Sequence, residues 1–495
     1  MPTWVKDLAP IFLLLVVVTI VMVRLPKVDL GHSTGFRNRR TLNWLPLGLT
    51  YAFLYMGRYN LNVATTYLGN RVDNAAFGTI FGIGTVVYGI AFVINGPLTD
   101  RFGGRAAILV SATGAAVMNL LMGALTWGVL EQQSWAAGIP LVPAFSVLYA
   151  ANMYFQSFGA VSIVKVNAAW FHVRERGVFG GIFGILISLG VYFAFDWSRF
   201  IATRAPVYWV FLIPAAILAV FVVLDTVFVR DTPAQAGQKD FDTADASSGD
   251  EGPRLGALQV ALLMLRNPVI VTIAAIEFCS GYLRNALMQW YPKFAKQTGI
   301  AEQFVPANWG MLLCCAGILG GVFAGVISDR VFDSRRGPVA SILYAGMLLG
   351  GLVMIVVMGG PLLGWITIFM SLCIIGVHGM LSGTASMDFG GKKNVGVAVG
   401  LIDGCVYLGT GLQSLLLGVL LPQGDAAKRV ENWSNWPLAM IPLAVLGLAL
   451  ATRVWNAKPK PKALVTPATD VSSRAPEGTQ IDTGKPATKS GPAVA

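Results

Sequence analysis

The chain has 495 residues, of which 55% are hydrophobic and 12% are charged, and its mean hydropathy is +0.65. Soluble domains carry about 25% charged residues, so this composition excludes an ordinary water-soluble globule, a disordered chain and a disulfide-rich secreted module. The formal net charge of +11 comes from short basic runs between apolar blocks, a distribution typical of cytoplasmic loops rather than of a nucleic-acid-binding surface.

Apolar blocks of roughly 20 residues, the length that spans a bilayer, follow one another along the chain. The first block, Leu8 to Val23, has no small-residue cleavage site after it and predicts an extra membrane helix or an uncleaved interfacial helix. Six spans follow: Trp44 to Leu68, Phe77 to Thr99, Ala106 to Trp127, Ala137 to Val166, Val178 to Phe200 and Val207 to Val229. Six more come after a polar gap: Pro268 to Tyr291, Val305 to Ile327, Pro338 to Met358, Leu362 to Ser386, Val395 to Leu421 and Trp436 to Trp455.

These blocks predict an all-α membrane protein with twelve transmembrane helices in two six-helix bundles, at 44–229 and 267–455. Residues 1–43 form an N-terminal extension that contains the ambiguous first block. The gap, 230–266, is rich in acidic residues and predicts a mobile cytoplasmic linker, while 456–495 predicts a disordered cytoplasmic tail. All five cysteines lie inside apolar blocks without CxxC spacing, which indicates reduced, inert thiols.

An internal repeat relates the two halves of the chain. Arg58 and Arg284 lie deep in the first span of each half, 284 − 58 = 226 residues apart, and each follows another arginine by 18 residues. The loops GPLTDR at 96–101 and GVISDR at 325–330 repeat at a similar offset, 329 − 100 = 229. Basic loops place this side in the cytoplasm. Four residues of these loops are predicted to brace a cytoplasmic gate: Asp100, Arg101, Asp329 and Arg330.

The two intramembrane arginines are the strongest candidates for a functional site, because a charge at the bilayer centre costs about 2.5 to 3.5 kcal/mol on insertion scales. Arg58 has no acid in its own span, whereas Arg284 has Glu277 seven residues away, so structural pairing stays an alternative. Guanidinium groups are permanently charged and bind two oxygens of a phosphate or carboxylate. Tyr51 and Tyr55 share one helix stripe with Arg58 through i, i+4, i+7 spacing.

Glu277, Asp403 and His378 also lie within the spans, and they are predicted to bind a proton or to act as counter-ions to the arginines. A hydrogen-bonded packing role is the alternative for each. The sequence shows no nucleophile–base arrangement and no metal-ligand cluster. We therefore expect neither an enzyme, nor a metal, nor a cofactor.

At these residues the chain resembles the organophosphate:phosphate antiporters of the major facilitator superfamily, over about residues 39 to 455. The segments that carry the resemblance are RNRRTLNWLPLGLTYAFLYMGRYNLNVA, GPLTDRFGGR, FQSFGAVSIVKVNAAWFHVRERG, EFCSGYLRNALMQWYPKF and MDFGGKKNVGVAVGLIDGCVYLG. The resemblance implies that Arg58 and Arg284 bind the substrate phosphate. It also implies that polar and aromatic residues line the pore: Tyr51, Tyr55, Tyr88, Gln156 and Tyr407.

Three positions depart from the glycerol-3-phosphate transporters of this family. Tyr59 and Phe92 stand where those proteins have lysines, and Ile187 stands where they have a pore histidine. Specificity for glycerol 3-phosphate is therefore not expected. The segments MDFGGKK and DGCVYLG are more similar to the sugar-phosphate exchanger branch.

The resemblance predicts the major facilitator fold and a secondary active transporter that exchanges an organic phosphate for inorganic phosphate by alternating access. Two alternatives stay open: a proton-coupled symporter of another organic anion, and a transporter-like membrane sensor of sugar phosphate. The expected location is a multi-pass protein of the bacterial inner membrane. The expected partners are a small anionic substrate, inorganic phosphate and the lipid bilayer, without nucleic acid, and the chain is expected to function as a monomer.

Overall fold

The computed structural model describes residues 30–172, 175–243, 257–332 and 335–456, together with Val16 and Thr19. The predicted helix at Leu8 to Val23, apart from those two residues, and the predicted tail from residue 457 onward lie outside this part of the chain. All the described helices belong to one compact unit that extends to Ala457.

The described residues form helices and no strands, which confirms the all-α prediction. The N-terminal half contains α1 Thr34–Tyr67, α2 Asn74–Phe102, α3 Gly104–Leu130, α4 Leu141–Trp170, α5 Arg176–Tyr192, α6 Ser198–Arg204 and α7 Trp209–Phe228. The C-terminal half contains α8 Ala257–Leu265, α9 Pro268–Gln297, α10 Phe304–Ala307, α11 Trp309–Val331, α12 Arg336–Val357, α13 Leu362–Leu420 and α14 Asn435–Arg453. A π-helical segment, Phe193–Trp197, joins α5 to α6.

Ten segments of the described chain are long and apolar enough to cross a membrane. The two remaining predicted spans are also helical, within α1 and α11. The apolar part of α11, Trp309–Gly325, is shorter, and α1 carries Arg58 and several asparagines in the stretch that was predicted to span. Each of the twelve predicted spans therefore coincides with helix, whereas the division of the chain into bundles at 44–229 and 267–455 stays a prediction.

Helix starts follow the capping residues of the sequence. The Ser33 hydroxyl accepts a hydrogen bond of 3.2 Å from the Phe36 amide at the start of α1, and the Asp73 carboxylate accepts one of 2.7 Å from the Ala76 amide at the start of α2. Asn267 caps α9 in the same way, accepting from the Val269 amide. These oxygens satisfy amides that have no partner within the helix, so α1, α2 and α9 begin at defined residues.

Helix α13 is 59 residues long and contains two of the predicted spans. A straight helix of that length would extend about 88 Å, roughly three times the hydrocarbon thickness of a bilayer. Two distant points of α13 nevertheless meet neighbouring residues of α9: His378 lies against Glu277, and Gly409 lies against the Phe278 backbone. The helix therefore folds back, and its first and last segments lie side by side against α9.

The first residues of the predicted linker pack onto the N-terminal half. The Asp231 carboxylate accepts a hydrogen bond of 2.8 Å from the Arg105 amide, and the Trp170 indole donates one of 3.0 Å to the Arg230 carbonyl. The Phe241 ring lies 5.5 Å from the Phe36 ring, measured between centroids. Arg230, Asp231 and Phe241 thus contact helices α4, α3 and α1, and the mobile linker over 230–266 stays a prediction.

Candidate functional site

Arg58 lies at the centre of the molecule with none of its surface exposed. All three of its guanidinium nitrogens donate hydrogen bonds: Nε to Gln156 Oε1 at 2.9 Å, Nη1 to the Tyr407 hydroxyl at 2.8 Å and Nη2 to the Tyr88 hydroxyl at 2.8 Å. The ring of Tyr55 lies 4.6 Å from Arg58 Cζ. These partners are neutral, so the buried positive charge is solvated by dipoles and aromatic faces rather than neutralised by an acid.

Arg284 approaches the same place from the other half of the chain. Its Cζ atom lies 5.7 Å from the centroid of the Tyr407 ring, whose hydroxyl accepts from Arg58. Its Nε and Nη2 atoms are buried and have no hydrogen-bond partner among the described residues. The two arginines therefore converge on Tyr407, and the second one offers two unsatisfied donors.

The tyrosines expected to line the pore form one connected group around Arg58. The Tyr51 and Tyr55 rings are 5.3 Å apart in an edge arrangement, and the Tyr88 and Tyr407 rings are 4.1 Å apart. Tyr88 comes from α2 and Tyr407 from α13, so the group spans both halves of the chain. The structure thus brings together every residue that the resemblance implied for substrate binding, and their role in binding stays a prediction.

A chain of buried amides supports Arg58 from behind. Gln156, which accepts from Arg58, donates to Asn152 Oδ1 at 3.1 Å, and Asn152 donates to the Gly57 carbonyl at 3.1 Å. Asn119 donates to the same carbonyl at 3.0 Å and accepts from Asn60 at 2.8 Å. None of these amide side chains is exposed. The network links α1, α3 and α4, and it fixes the helix turn that carries the arginine.

Sequence reasoning missed this amide network. Asn60, Asn119 and Asn152 lie in three different spans, and no regular spacing connects them. The signal that could have identified them was their polarity, because amide side chains inside membrane spans form hydrogen bonds between helices.

A second, shorter set of polar contacts stands behind Arg284. Asn285 donates to the Thr410 hydroxyl at 2.7 Å and accepts from Gln289 at 2.9 Å, which joins α9 to α13. The Gln289 carbonyl accepts a hydrogen bond of 2.9 Å from Asn62 of α1. Helix α9 is therefore tied to a helix of its own half and to one of the opposite half.

The three positions that depart from the glycerol-3-phosphate transporters carry no cation. Tyr59 is buried, and its ring centroid lies 6.0 Å from Arg58 Cζ and 6.0 Å from the Phe81 ring. Phe92 packs against Tyr88 at 4.8 Å between centroids, and Ile187 is half-buried. Apolar and aromatic surface thus stands where those relatives were expected to have basic groups.

Glu277 pairs with His378 and forms no ion pair with Arg284. Its Oε2 atom lies 2.9 Å from His378 Nδ1, and the Glu277 side chain has no exposed surface. Its other oxygen, Oε1, is buried without a hydrogen-bond partner among the described residues. Asp403 is half-buried on α13. The structural alternative, an Arg284–Glu277 pair, is therefore not what the structure shows.

The side of the arginine-rich loops is called the inner side here, and the opposite side the outer side. At the outer side the Asp196 carboxylate accepts hydrogen bonds from the Gly310 amide at 2.7 Å and the Met311 amide at 2.8 Å. Arg199 donates to Glu302 at 2.8 Å and to the Pro306 carbonyl at 3.3 Å. Both contacts join the N-terminal half to the C-terminal half, so the outer side is closed.

A third outer contact lies at the start of α2. Asn74 donates to the Pro422 carbonyl at 2.8 Å and exchanges hydrogen bonds with Gln297, while the Ala75 amide donates to Gln423 at 3.2 Å. These contacts again connect the two halves, and together with those of Asp196 they surround the outer ends of α1 and α9.

The predicted cytoplasmic gate is only partly described. Asp100 forms a 2.6 Å ion pair with Lys165 of α4 rather than with a neighbouring arginine. Arg101 and Arg330 are exposed, and the side chain of Asp329 lies outside the described residues. The gate role of these four residues stays a prediction.

Comparison of the chain with known proteins shows the family to which it belongs. The family model described as Major Facilitator Superfamily matches residues 47–414. The "Glycerol-3-phosphate transporter" of Bacillus subtilis is 24% identical over 86% of this chain and 95% of its own length. The "Membrane sensor protein UhpC" of Salmonella typhimurium is 25% identical over 80% of this chain and 89% of its own length.

Solved structures support the same fold. An inward-facing, occupied "Bacterial Homolog to Human Lysosomal Transporter, Spinster" superposes with a TM-score of 0.62 at 13% identity, covering 86% of this chain and 97% of the other. A "D-xylose-proton symporter" superposes with a TM-score of 0.57 at 16% identity, covering 83% and 97%. At these identities the likeness shows the fold alone.

These matches confirm the predicted fold class, the multi-pass membrane location and the expectation of a transporter-like protein rather than an enzyme. The relatives by sequence, which also include probable hexose phosphate transport proteins of Chlamydia, agree with the resemblance seen in the arginine-bearing segments. The chain belongs to the Major Facilitator Superfamily, and its curated relatives match the organophosphate:phosphate antiporter family within it.

Proposed function

We propose that this protein exchanges an organic phosphate for inorganic phosphate by alternating access. The observation that carries the proposal is the convergence of two guanidinium groups, from opposite halves of the chain, on Tyr407 at the buried centre. Neither group pairs with an acid in the described structure, so the centre holds two positive charges. A doubly charged phosphate is the complementary ligand, since each planar fork can bind two of its oxygens.

The names of the relatives support a phosphate ester as the transported group. Glycerol-3-phosphate, phosphoglycerate and hexose phosphate transporters all align with most of this chain. The aromatic surface of Tyr59 and Phe92 beside the arginines favours an organic part that does not require extra cations. We therefore propose that the two arginines bind the phosphate group of the substrate and that the substrate is a phosphate ester other than glycerol 3-phosphate.

The closed outer side supports the alternating-access part of the proposal. An anion that enters from the inner side between Arg58 and Arg284 reduces the repulsion between them and attracts both halves. At an effective dielectric constant of about 20, two unit charges 4 Å apart interact by about 4 kcal/mol, which is enough to bias a two-state equilibrium. Because both guanidiniums belong to one chain, a single copy suffices for this mechanism.

Counterflow in proteoliposomes tests the proposal. Vesicles loaded with inorganic phosphate are diluted into labelled phosphate, and then challenged with hexose phosphates, triose phosphates and plain carboxylates. We expect phosphate uptake that phosphate esters inhibit and carboxylates do not. Arg58→Lys and Arg284→Lys should each reduce uptake at least 100-fold, because lysine retains the charge but loses the fork.

Arg71→Lys is the matched control, since Arg71 is exposed in the 3-10 turn after α1 and lies outside the site. Its uptake should equal that of the unmodified protein. Phosphate exchange that persists at normal rates in Arg284→Lys would falsify the two-arginine clamp.

A sensor of sugar phosphate is the second candidate, favoured by the alignment with two membrane sensor proteins named UhpC. Both a sensor and a transporter would bind the phosphate between the two arginines, but only a transporter would carry it rapidly across the membrane. Micromolar binding of a hexose phosphate by purified protein, combined with counterflow no faster than in empty liposomes, would select the sensor. Rapid counterflow would select the transporter.

A further inference from the structure

The pair formed by Glu277 and His378 is the strongest unassigned feature of the membrane interior. The carboxylate has no exposed surface, whereas the His378 side chain is 26% exposed, so the ring is the accessible member of the pair. An oxygen of the carboxylate, Oε1, is buried without a partner in the described structure. Burying an ionised carboxylate with only one neutral neighbour is unfavourable, and a proton on the ring converts that neighbour into a counter-charge.

The pair is close enough to the proposed anion site to affect it. Glu277 precedes Arg284 by seven residues on α9, a separation of about 10 Å along the same helix face. The carboxylate lies within Coulombic range of that guanidinium. Protonation of the ring adds one positive charge to this region without moving a helix, and an anion held by Arg284 experiences that charge through a low-dielectric interior.

Other groups around Glu277 do not replace the histidine as the proton site. The Tyr344 hydroxyl of α12 donates a 2.6 Å hydrogen bond to the Ile276 carbonyl and is therefore occupied. Among the described residues, the titratable and charged groups near Glu277 are Arg284 on its own helix, Tyr344 on α12, and His378 and Cys405 on α13; Cys279 lies near Tyr344 and Asp403 near Cys405. Among these types of side chain, imidazole is the one that ordinarily changes charge between pH 5 and pH 8.

We propose that Glu277 and His378 form a proton-binding pair, so that one proton taken up by the pair strengthens binding of the anion at Arg284. The inference rests on the proposed function only for the place where the anion binds. By thermodynamic linkage, a bound anion must raise the affinity of the pair for a proton by the same factor by which the proton raises the affinity for the anion.

Nuclear magnetic resonance of the histidine rings tests the linkage without any transport. The chain has three histidines, so ring-labelled protein gives three sets of signals, and His378→Gln identifies the relevant set. Addition of inorganic phosphate should raise the protonated fraction of His378 at pH 7 and leave His32 and His172 unchanged. A titration of the His378 ring that is identical with and without bound phosphate would overturn the proposal.

The second measurement is the affinity for phosphate as a function of pH, by isothermal titration calorimetry in detergent. Lowering the pH from 8 to 6 should strengthen binding about tenfold more in the unmodified protein than in His378→Gln or Glu277→Gln. Inorganic phosphate itself titrates in this pH range, but its own titration is common to all variants, so it cancels in this difference. His172→Gln and Asp225→Asn are the controls, and both should retain the unmodified pH profile.

Asp225 matches Glu277 as a fully buried acid, but it accepts from the Thr50 hydroxyl at 2.7 Å and lies in the other half of the chain.

The proposed function and the proton-binding pair can be contradicted separately. Absence of phosphate binding and exchange at every pH in the unmodified protein would contradict the proposed function. Binding and exchange that occur with equal pH profiles in unmodified protein and His378→Gln would contradict only the proton-binding pair.

Discussion

The Asp196 carboxylate accepts a 2.7 Å hydrogen bond from the Gly310 amide, so an acid of the N-terminal half caps a helix of the C-terminal half. The second carboxylate oxygen accepts from the Met311 amide, and both amides belong to the first turn of α11. An anion at this position interacts with unpaired amides and with the positive end of the helix dipole. The outer side is therefore held by a charge-assisted contact between the halves.

We expect Asp196→Ala to favour opening of the outer side. The substitution leaves two amides of α11 without acceptors, and charge-assisted hydrogen bonds contribute about 1.5 to 3 kcal/mol each. Val63 lines a crevice at the outer side together with Asp196 and Arg199, and it is 6% exposed. A cysteine placed at position 63 therefore reports opening of the outer side. Its rate of reaction with a membrane-impermeant maleimide should rise at least tenfold in the Asp196→Ala background.

Arg199→Gln is the matched comparison for this prediction. It removes an ion pair with Glu302, whose side chain is 87% exposed, and exposed pairs contribute about 1 kcal/mol or less. The maleimide rate at Val63→Cys should change less than fivefold. Equal rates in both backgrounds would show that the Asp196 contact does not hold the outer side.

Tyr407→Phe should strengthen phosphate binding. The hydroxyl of Tyr407 accepts from Arg58, so an entering phosphate competes with it for the same guanidinium. Removal of the hydroxyl leaves a buried charged donor unsatisfied before binding, at a cost of about 1 to 3 kcal/mol that the anion relieves. We expect the Kd for phosphate, measured by calorimetry, to fall about three- to tenfold.

Tyr282→Phe provides the control for the tyrosine substitution. The Tyr282 hydroxyl is buried without a hydrogen-bond partner in the described structure, so its removal costs no bond. Phosphate affinity should stay within twofold of the unmodified value. If Tyr407→Phe weakens phosphate binding instead, the hydroxyl must act as a ligand of the anion rather than as its competitor.

Asn119→Ala should disrupt the amide network behind Arg58. It removes the acceptor of Asn60 and one donor to the Gly57 carbonyl, and each unsatisfied buried group costs about 1 to 3 kcal/mol. We expect a lower Tm in detergent, followed by tryptophan fluorescence, together with a weaker apparent affinity for phosphate. Asn95→Ala, which removes a buried hydrogen bond to Ser157 away from the site, should lower the Tm but leave phosphate affinity unchanged.

Gly281→Ala should destabilise the contact between α9 and α13. A Cβ atom at this position would collide with the Val406 carbonyl oxygen, so the two helices would have to separate. The corresponding control is Gly321→Ala, because a Cβ there meets no atom within 4 Å. We expect a Tm several degrees lower for Gly281→Ala and an unchanged or slightly higher Tm for Gly321→Ala; equal values would contradict close packing at Gly281.

The spans and the arginine pair were accessible to sequence reasoning for clear physical reasons. A bilayer imposes a minimum length on apolar segments, so hydropathy places most helices within a few residues of their observed bounds. The exceptions are α1, which begins at Thr34 rather than at Trp44, and α13, which contains two predicted spans. A lone arginine inside such a segment is conspicuous, and the internal repeat relates Arg58 to Arg284 as equivalent positions of the two halves. The structure shows that both reach Tyr407, more than 100 residues from Arg284 in the chain.

Other features depend on contacts that no residue spacing in the sequence predicts. Asp196 lies in a predicted span, and the rule that intramembrane acids mark functional positions would have selected it together with Glu277. Its partner, however, is a pair of backbone amides, and backbone groups leave no trace in a sequence. The same is true of the pairing between Glu277 and His378, which depends on how α13 folds back onto α9.

The contacts of Arg230, Asp231 and Phe241 with the N-terminal half set the point from which the chain crosses to the C-terminal half. With Arg230 and Asp231 anchored, the covalent connection between the halves shortens to the stretch from Thr243 to Ala257, which is 257 − 243 = 14 residue steps. Fully extended, such a stretch reaches roughly 50 Å. That reach exceeds the roughly 30 Å hydrocarbon thickness of a bilayer, so the length of the connection does not prevent the two halves from rocking against each other.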